Sequence, residues 1–121
     1  MQLEIIDNAY KHIEKEFDDK QIEVIFEKLR FFADNYDEVV KTKQVEKLTN
    51  SQASRFKINI GIRAIFITFY ENNDGTIIIL DVVRRENAYT NRNMTQFNKL
   101  AKETLDKKKA DLSQDRANSN K

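Results

Sequence analysis

The sequence contains no cysteine and no proline, and its only histidine is His12. The absence of cysteine excludes a disulfide framework and thiolate metal ligands, and a single histidine leaves no cluster for a histidine-based zinc site. The two glycines, Gly61 and Gly75, both fall at predicted turns, so no glycine-rich phosphate loop is present. We therefore expect neither a metal nor another cofactor, and any chemistry must use other groups.

Long apolar runs are also missing. No stretch reaches the roughly 18 residues needed to cross a bilayer, and the first ten residues lack the basic start and apolar core of a signal peptide. We expect a cytoplasmic protein with no membrane partner. A chain of 121 residues is the size of one domain. We assign residues 1–112 to a single domain that includes a C-terminal helix, and residues 113–121 to a polar, disordered tail.

Charge is distributed unevenly along the chain. Residues 1–40 carry 5 Lys and Arg against 11 Asp and Glu, residues 41–89 carry 8 against 5, and residues 90–121 carry 8 against 4. A set of solvated helix faces is one explanation of this pattern. The other is an anionic partner for the basic half, since summed surface charge steers association even when the total charge is only +1.

The first third of the chain has a helical pattern after a short strand, "MQLEII". Apolar residues recur at spacings of three and four, which predicts an amphipathic helical hairpin from about Asn8 to Tyr36. His12 falls within this acidic hairpin, far in sequence from the basic residues, and we interpret it as a surface or packing residue.

A strand pattern replaces the helical one from "VEKL" onward. In "RFKINI", Phe56 and Ile58 alternate with Arg55 and Lys57, so one face is apolar and the other basic. Gly61 predicts a tight turn with positive φ, and Asp-Gly in "NNDGT" predicts a second turn. The next strand, "TIIILDVV", is apolar enough to be covered on both faces.

These patterns predict an α+β fold. We expect an antiparallel sheet of three to four strands, a helical hairpin packed on one face, and a C-terminal helix after Tyr89. The predicted core is Ile5, Ile13, Phe17, Ile25, Leu29, Phe32, Phe56, Ile58, Phe66, Ile78, Leu80 and Val82.

Two stretches, "RFKINIGIRAIF" and "VVRRENAY", resemble the RelE/ParE toxin superfamily, and the order of predicted elements agrees over roughly residues 1–100. In that family a basic strand, a glycine turn and an arginine opening the next strand occur in this order, and basic residues precede a closing aromatic. The resemblance implies a RelE-like fold and the toxin half of a type II toxin–antitoxin pair. Its partners would be a cognate antitoxin and mRNA, with or without the ribosome.

The resemblance also implies site residues. Arg63, Arg85 and Tyr89 match catalytic positions, and the RNA-binding positions are Lys57, Arg55 and Arg84. There are departures from the family pattern: Asn59 stands where RNA-cleaving members often have a second basic residue, and Arg84 replaces a frequent histidine. The chain is also longer and less basic than many relatives.

RNA can be cut by its own 2′-hydroxyl, so a protein needs to orient that attack, move protons and stabilise the charge on the phosphate. Guanidinium groups suit the last task because they stay charged and present a planar fork to phosphate oxygens. Tyr89 would transfer a proton or stack on a base. We expect Arg63 and Arg85 to contact phosphate and to lie outside the core. The structural alternative is that these arginines only form ion pairs with Asp81 or Glu86.

The leading hypothesis is thus an endoribonuclease that cuts mRNA and inhibits translation. The other hypothesis is a non-catalytic binding protein on the same fold, such as a gyrase-directed poison or a decayed toxin homologue of a phage or mobile element. Asn59 and the modest net charge favour the second hypothesis.

Overall fold

The computed structural model describes the backbone of residues 1–119 and the side chains of residues 1–112. Strands and helices follow one another in the order β1 (Gln2–Ile5), α1 (Asp7–Glu16), α2 (Asp19–Asp34), α3 (Tyr36–Val39), β2 (Val45–Lys47), β3 (Ser54–Asn59), β4 (Ile62–Glu71), β5 (Asp74–Arg84) and α4 (Asn91–Ser119). A 3₁₀ turn, Arg85–Asn87, joins β5 to α4.

The strands form one sheet in the order β1-β5-β4-β3-β2. β1 lies parallel to β5, and the other neighbouring strands are antiparallel. The predicted α+β class is confirmed, but the sheet has five strands where three or four were predicted, and it is mixed and not antiparallel throughout, because β1 lies parallel to β5. The additional strand is β2, whose three residues fall at the start of the strand pattern in "VEKL" but were not counted as a separate strand because so short a stretch carries little alternation. In sequence, the helical hairpin lies between β1 and the other strands. It is part of the long connection that the parallel pair of β1 and β5 requires.

The helical hairpin, α1 and α2, covers one face of the sheet. A capping box begins α2: the Asp18 carboxylate accepts from the backbone N–H of Gln21, and the Gln21 side chain accepts from the N–H of Asp18. Further along α2, the Phe32 ring stacks on Phe56 of β3 at 4.2 Å between centroids and meets Phe66 of β4 edge-on at 5.1 Å. Aromatic packing therefore fixes the hairpin on β3 and β4.

The predicted C-terminal helix, α4, covers the opposite face through buried Phe97 and Ala101, which pack with Leu80 and Val83 of β5. β4 and β5 are buried on both faces, as their apolar composition predicted. The predicted core residues are buried with the exception of Ile5, which is partly buried because β1 is at the edge of the sheet.

The turns differ from the sequence prediction. Neither glycine has a positive φ, whereas Asn72 has a φ of 57°. Glu71 pairs with Asp74 across the β4–β5 turn, so the turn consists of Asn72 and Asn73, and the predicted Asp-Gly turn is wrong. A Cβ atom on Gly75 would meet the side chain of Met1 and would lie 2.7 Å from Cε1 of Tyr70, so a larger residue there would require these two side chains to shift.

The C-terminal end of the chain leaves one prediction open. Helix α4 reaches Ser119, and the predicted disordered tail at residues 113–121 stays a prediction, since its side chains and its last two residues lie outside the described part. Among the helices of the described residues, none is both long and apolar enough to cross a membrane.

Candidate nucleic-acid interface

A group of cationic side chains lies where the β3–β4 turn meets the end of β5. Phe56 and Ile58 of β3 point to the helical hairpin, so Arg55 and Lys57 project from the opposite face. Arg63 of β4 stands directly opposite Lys57 in the antiparallel register. The alternation that buries the apolar residues of β3 therefore brings these cations to one face.

Arg63 is buried, with 7% of its surface exposed. Its Nη1 donates to the backbone carbonyls of Asn59, Ile60 and Ile62 at 2.6, 3.3 and 3.1 Å. Burial, and after it the like charges of Arg55 and Arg85, lower the pKa of the Arg63 guanidinium. The expectation that Arg63 lies outside the core is wrong, because its side chain folds back to bind the β3–β4 turn.

Arg55 makes two contacts with its neighbours. Its Nη2 forms an ion pair with the carboxylate of Glu46, the residue directly opposite on β2. Its guanidinium lies over the ring of Tyr89, 4.4 Å from the centroid, as in a cation–π contact. Nη1 of Arg55 is buried and has no hydrogen-bond partner among the described residues. Arg55 thus links β2 to the segment that follows β5.

Two cations of the group are exposed, Lys57 and Arg85. The backbone N–H of Arg85 donates to the carbonyl of Gly61 at 2.8 Å, which fixes the exit of β5 against the β3–β4 turn. Arg85 is also close enough to Arg63 to lower its pKa. Tyr89, half-exposed, completes the group. We call Glu46, Arg55, Lys57, Arg63, Arg85 and Tyr89 the basic site.

Arg84 does not join the basic site. Its side chain points to the other face, where Nε donates to Oε1 of Glu16 at 3.1 Å and the guanidinium lies 5.0 Å from the Phe17 ring centroid. The ion pairs offered as a structural alternative are also absent from the described side chains. Asp81 pairs with His12 at 2.7 Å, and Arg63 donates to carbonyls.

Like charges held this close oppose one another in the free protein. Lys57 and Arg63 are cross-strand neighbours, a geometry in which like charges are destabilising, and Arg55 and Arg85 add to the same field. Glu46 is the carboxylate that acts on Arg63 in the opposite sense. A bound anion would relieve this repulsion, so the basic site is suited to a phosphate group.

A cavity of about 240 Å³ opens beside Arg55 and Tyr89. Leu48 and Met94 supply its apolar wall, and Glu46 supplies a carboxylate. The cavity lies between β2 and α4, and of the four cations of the basic site only Arg55 is among its lining residues. Arg55 and Tyr89 therefore join the cavity to the basic site.

Sequence reasoning missed Glu46 as a member of the site. The available signal was the alternation in "VEKL", but only the register of β2 with β3 shows that Glu46 faces Arg55. Asn59, a departure from the family pattern, has a local role, because its side chain accepts from the N–H of Gly61 at 2.9 Å. In the described part of the chain, no three histidine, cysteine or acidic residues are grouped so as to hold a metal ion.

The five-stranded sheet, the helical hairpin on one face and the C-terminal helix define a RelE/ParE-like toxin fold. The structure is similar to that of the YoeB/ParE toxin from Agrobacterium tumefaciens, with a TM-score of 0.55 and 12% sequence identity over 70% of this chain and 99% of that chain. No protein-family model matches the sequence, and no curated protein matches it. At this identity the likeness shows the fold, and the activity has to be argued from the site.

Proposed function

We propose that this protein is the toxin of a type II toxin–antitoxin pair and acts in the cytoplasm as an endoribonuclease that cuts mRNA. The observation that carries the proposal is the basic site, in which four cations, a carboxylate and a tyrosine meet at one end of a rigid sheet. The RelE/ParE-like fold supports it, since the structure is similar to that of a YoeB/ParE toxin.

The reaction would begin with attack of a 2′-hydroxyl oxygen on the adjacent phosphorus. That bond forms as the bond from phosphorus to the 5′ oxygen of the next nucleotide breaks, which leaves a 2′,3′-cyclic phosphate and a 5′-hydroxyl. Lys57 and Arg85, both exposed, would contact the phosphate oxygens, with Arg63 adding its charge from beneath. Preorganised donors of this kind are worth about 3–4 kcal/mol in the transition state.

Two protons have to move in this reaction. The carboxylate of Glu46, which is paired with Arg55 and has its side chain 55% exposed, would accept the proton of the 2′-hydroxyl. Tyr89 would donate its hydroxyl proton to the departing 5′ oxygen, or else its ring would stack on a base. The contact of Tyr89 with Arg55 holds the ring beside the cations in either role.

The test uses the purified protein with one message, naked or bound to ribosomes. We expect cleavage products that end in a 2′,3′-cyclic phosphate and a 5′-hydroxyl, and we expect a 2′-deoxy substitution at the cleaved nucleotide to prevent the cut. Cleavage of the 2′-deoxy message at the same rate would contradict the proposed attack. Comparison of naked and ribosome-bound message decides whether the ribosome is needed.

A non-catalytic binding protein, such as a gyrase-directed poison, is the second candidate. Arg63 already donates to three carbonyls and Arg55 is paired with Glu46, which leaves Lys57 and Arg85 as the exposed cations of the basic site. A poison of this kind would leave messages intact, produce cleaved DNA and induce a damage response.

A further inference from the structure

Helix α1 contacts the last residues of β5 at two places, both on the face of the sheet opposite the basic site. Nδ1 of His12 lies 2.7 Å from Oδ1 of Asp81. One helical turn later, Glu16 accepts from Arg84 twice, at Oε1 from Nε at 3.1 Å and at its backbone carbonyl from Nη2 at 3.2 Å. We call His12, Glu16, Asp81 and Arg84 the α1 clamp.

The clamp acts at an irregularity in β5. Phe66 pairs with Ile79 and Ile65 pairs with Asp81, so Leu80 is an extra residue on β5 and forms a bulge. Oδ1 of Asp81 also accepts from the backbone N–H of Val82 at 2.9 Å. The same carboxylate oxygen therefore contacts the backbone next to the bulge and a side chain of α1.

A bulge changes which side chains of a strand point to each face, and bulges are frequent next to functional sites for that reason. After the bulge in β5, Val82 and Arg84 point to the helical hairpin, while Val83 points to α4. Arg85 then leaves the strand at the basic site. A slip of one residue would reverse these directions and turn Arg85 toward the wrong face.

We propose that the α1 clamp positions Arg85 and Tyr89 for the reaction by fixing the bulge and the end of β5. His12 and Arg84 are positioning residues and contact no RNA. This inference rests on the proposed function for its effect on cleavage, but its structural part is independent of what the basic site binds.

The test compares backbone hydrogen exchange in the wild-type protein and in His12→Ala and Glu16→Ala. We expect exchange at the amides of Arg85 and Ala88 to quicken by about tenfold, with little change at Ile77 to Ile79 on the other side of the bulge. Glu14→Ala, an exposed change on the same helix, is the control. His12→Gln, whose amide can still donate to Asp81, should restore wild-type exchange.

Cleavage is measured on the same variants. A positioning role predicts that kcat for RNA falls on the order of tenfold to a hundredfold in His12→Ala, with KM little changed and with recovery in His12→Gln. If wild-type protein cuts no RNA but exchange quickens as expected, the proposed function fails and the clamp stands. Unchanged exchange at Arg85 and Ala88, or equal quickening at every amide, would overturn the clamp. Local quickening with unchanged kcat would overturn its positioning role.

Discussion

At the scale of single residues, Arg63 combines a structural contact with a contribution to the charge of the basic site. It binds three carbonyls of the β3–β4 turn and lies beside Arg55 and Arg85. Loss of Arg63 would remove the donor to the carbonyl of buried Ile62, and an unsatisfied buried acceptor costs about 1–3 kcal/mol, whereas relief of repulsion between partly exposed charges returns about 0–1 kcal/mol. The hydrogen bonds are the larger effect.

We therefore predict that Arg63→Ala lowers the free energy of unfolding by about 1–3 kcal/mol, as well as reducing activity. Urea unfolding followed by circular dichroism measures the change. Lys57→Ala removes an exposed cation from the directly opposite position and serves as the matched control, with stability close to wild type. A variant at Arg63 that is as stable as wild type would show that the carbonyl contacts contribute nothing.

Substitutions of Tyr89 distinguish proton transfer from stacking on a base. Phenylalanine keeps the ring that Arg55 covers and removes only the hydroxyl. If the hydroxyl transfers a proton, we expect Tyr89→Phe to slow cleavage by roughly 10²–10⁴-fold, the usual contribution of a general acid or base. If the ring only stacks on a base, Phe should be nearly as active as wild type and Ala should not. Single-turnover cleavage rates distinguish these results, and full activity of Tyr89→Ala would remove Tyr89 from the site.

At the scale of elements, β5 shows what the sequence could predict and what it could not. Its apolar run predicted a strand covered on both faces. In the structure, alternate residues of β5 pack against the helical hairpin and against α4. The bulge at Leu80 was not predicted, and the contact beside it, between His12 and Asp81, joins residues 69 positions apart in sequence. Arg84, which the resemblance gave as an RNA-binding position, lies on the face of the sheet opposite the basic site.

Some members of the basic site were predicted from the sequence, and others were not. Alternation in β3 predicted that Arg55 and Lys57 share a face, and the resemblance added Arg63, Arg85 and Tyr89. Glu46 was missed because a three-residue strand carries too little pattern, and the buried state of Arg63 was missed because its carbonyl partners belong to a turn.

Asp81 gives β5 a pH dependence. Burial raises the pKa of the Asp81 carboxyl, and the hydrogen bonds with His12 and the N–H of Val82 only partly oppose this. The folded protein then holds a proton on Asp81 over a range where the unfolded chain has lost it, from about pH 4 up to the raised pKa. The contribution of Asp81 to the free energy of unfolding therefore falls as pH rises through that range.

We predict that Asp81→Asn removes this fall, so that the difference in unfolding free energy between variant and wild type shifts in favour of the variant as pH rises above about 4. Urea unfolding at several pH values measures it. Asp74→Asn, a change of the same kind at an exposed position at the start of β5, is the control. A constant difference between Asp81→Asn and wild type across the range would contradict the assignment.

At the scale of the whole molecule, the uneven charge of the chain corresponds to an arrangement in space. The acidic first third forms the edge strand β1 and the helical hairpin on one face of the sheet. The basic site lies on the other face, near the β3–β4 turn and the end of β5. An antitoxin that neutralises the proposed toxin should therefore present acidic or apolar side chains to the basic face, as a segment that orders on binding.

We predict that the association rate of such an antitoxin falls as salt concentration rises, because screening removes the long-range attraction. Stopped-flow measurements at low and high ionic strength test this. The double variant Lys57→Ala, Arg85→Ala should associate more slowly at low salt and depend less on salt. A wild-type rate that stays the same at every ionic strength would indicate a wholly apolar interface that leaves the basic site uncovered.

Primer extension on cellular messages after induced expression shows whether the end of the sheet that bears Arg85 cuts RNA. Wild-type protein should arrest growth and create new 5′ ends within messages. Arg85→Ala should do neither, and its fold should stay intact because the substituted side chain is exposed and outside the core. The control is Arg92→Ala, which changes an exposed arginine on α4 and should behave as wild type. Growth arrest with intact messages and cleaved DNA would show that RNA is not the target. Full cleavage by Arg85→Ala would show that Arg85 is not needed for the cut.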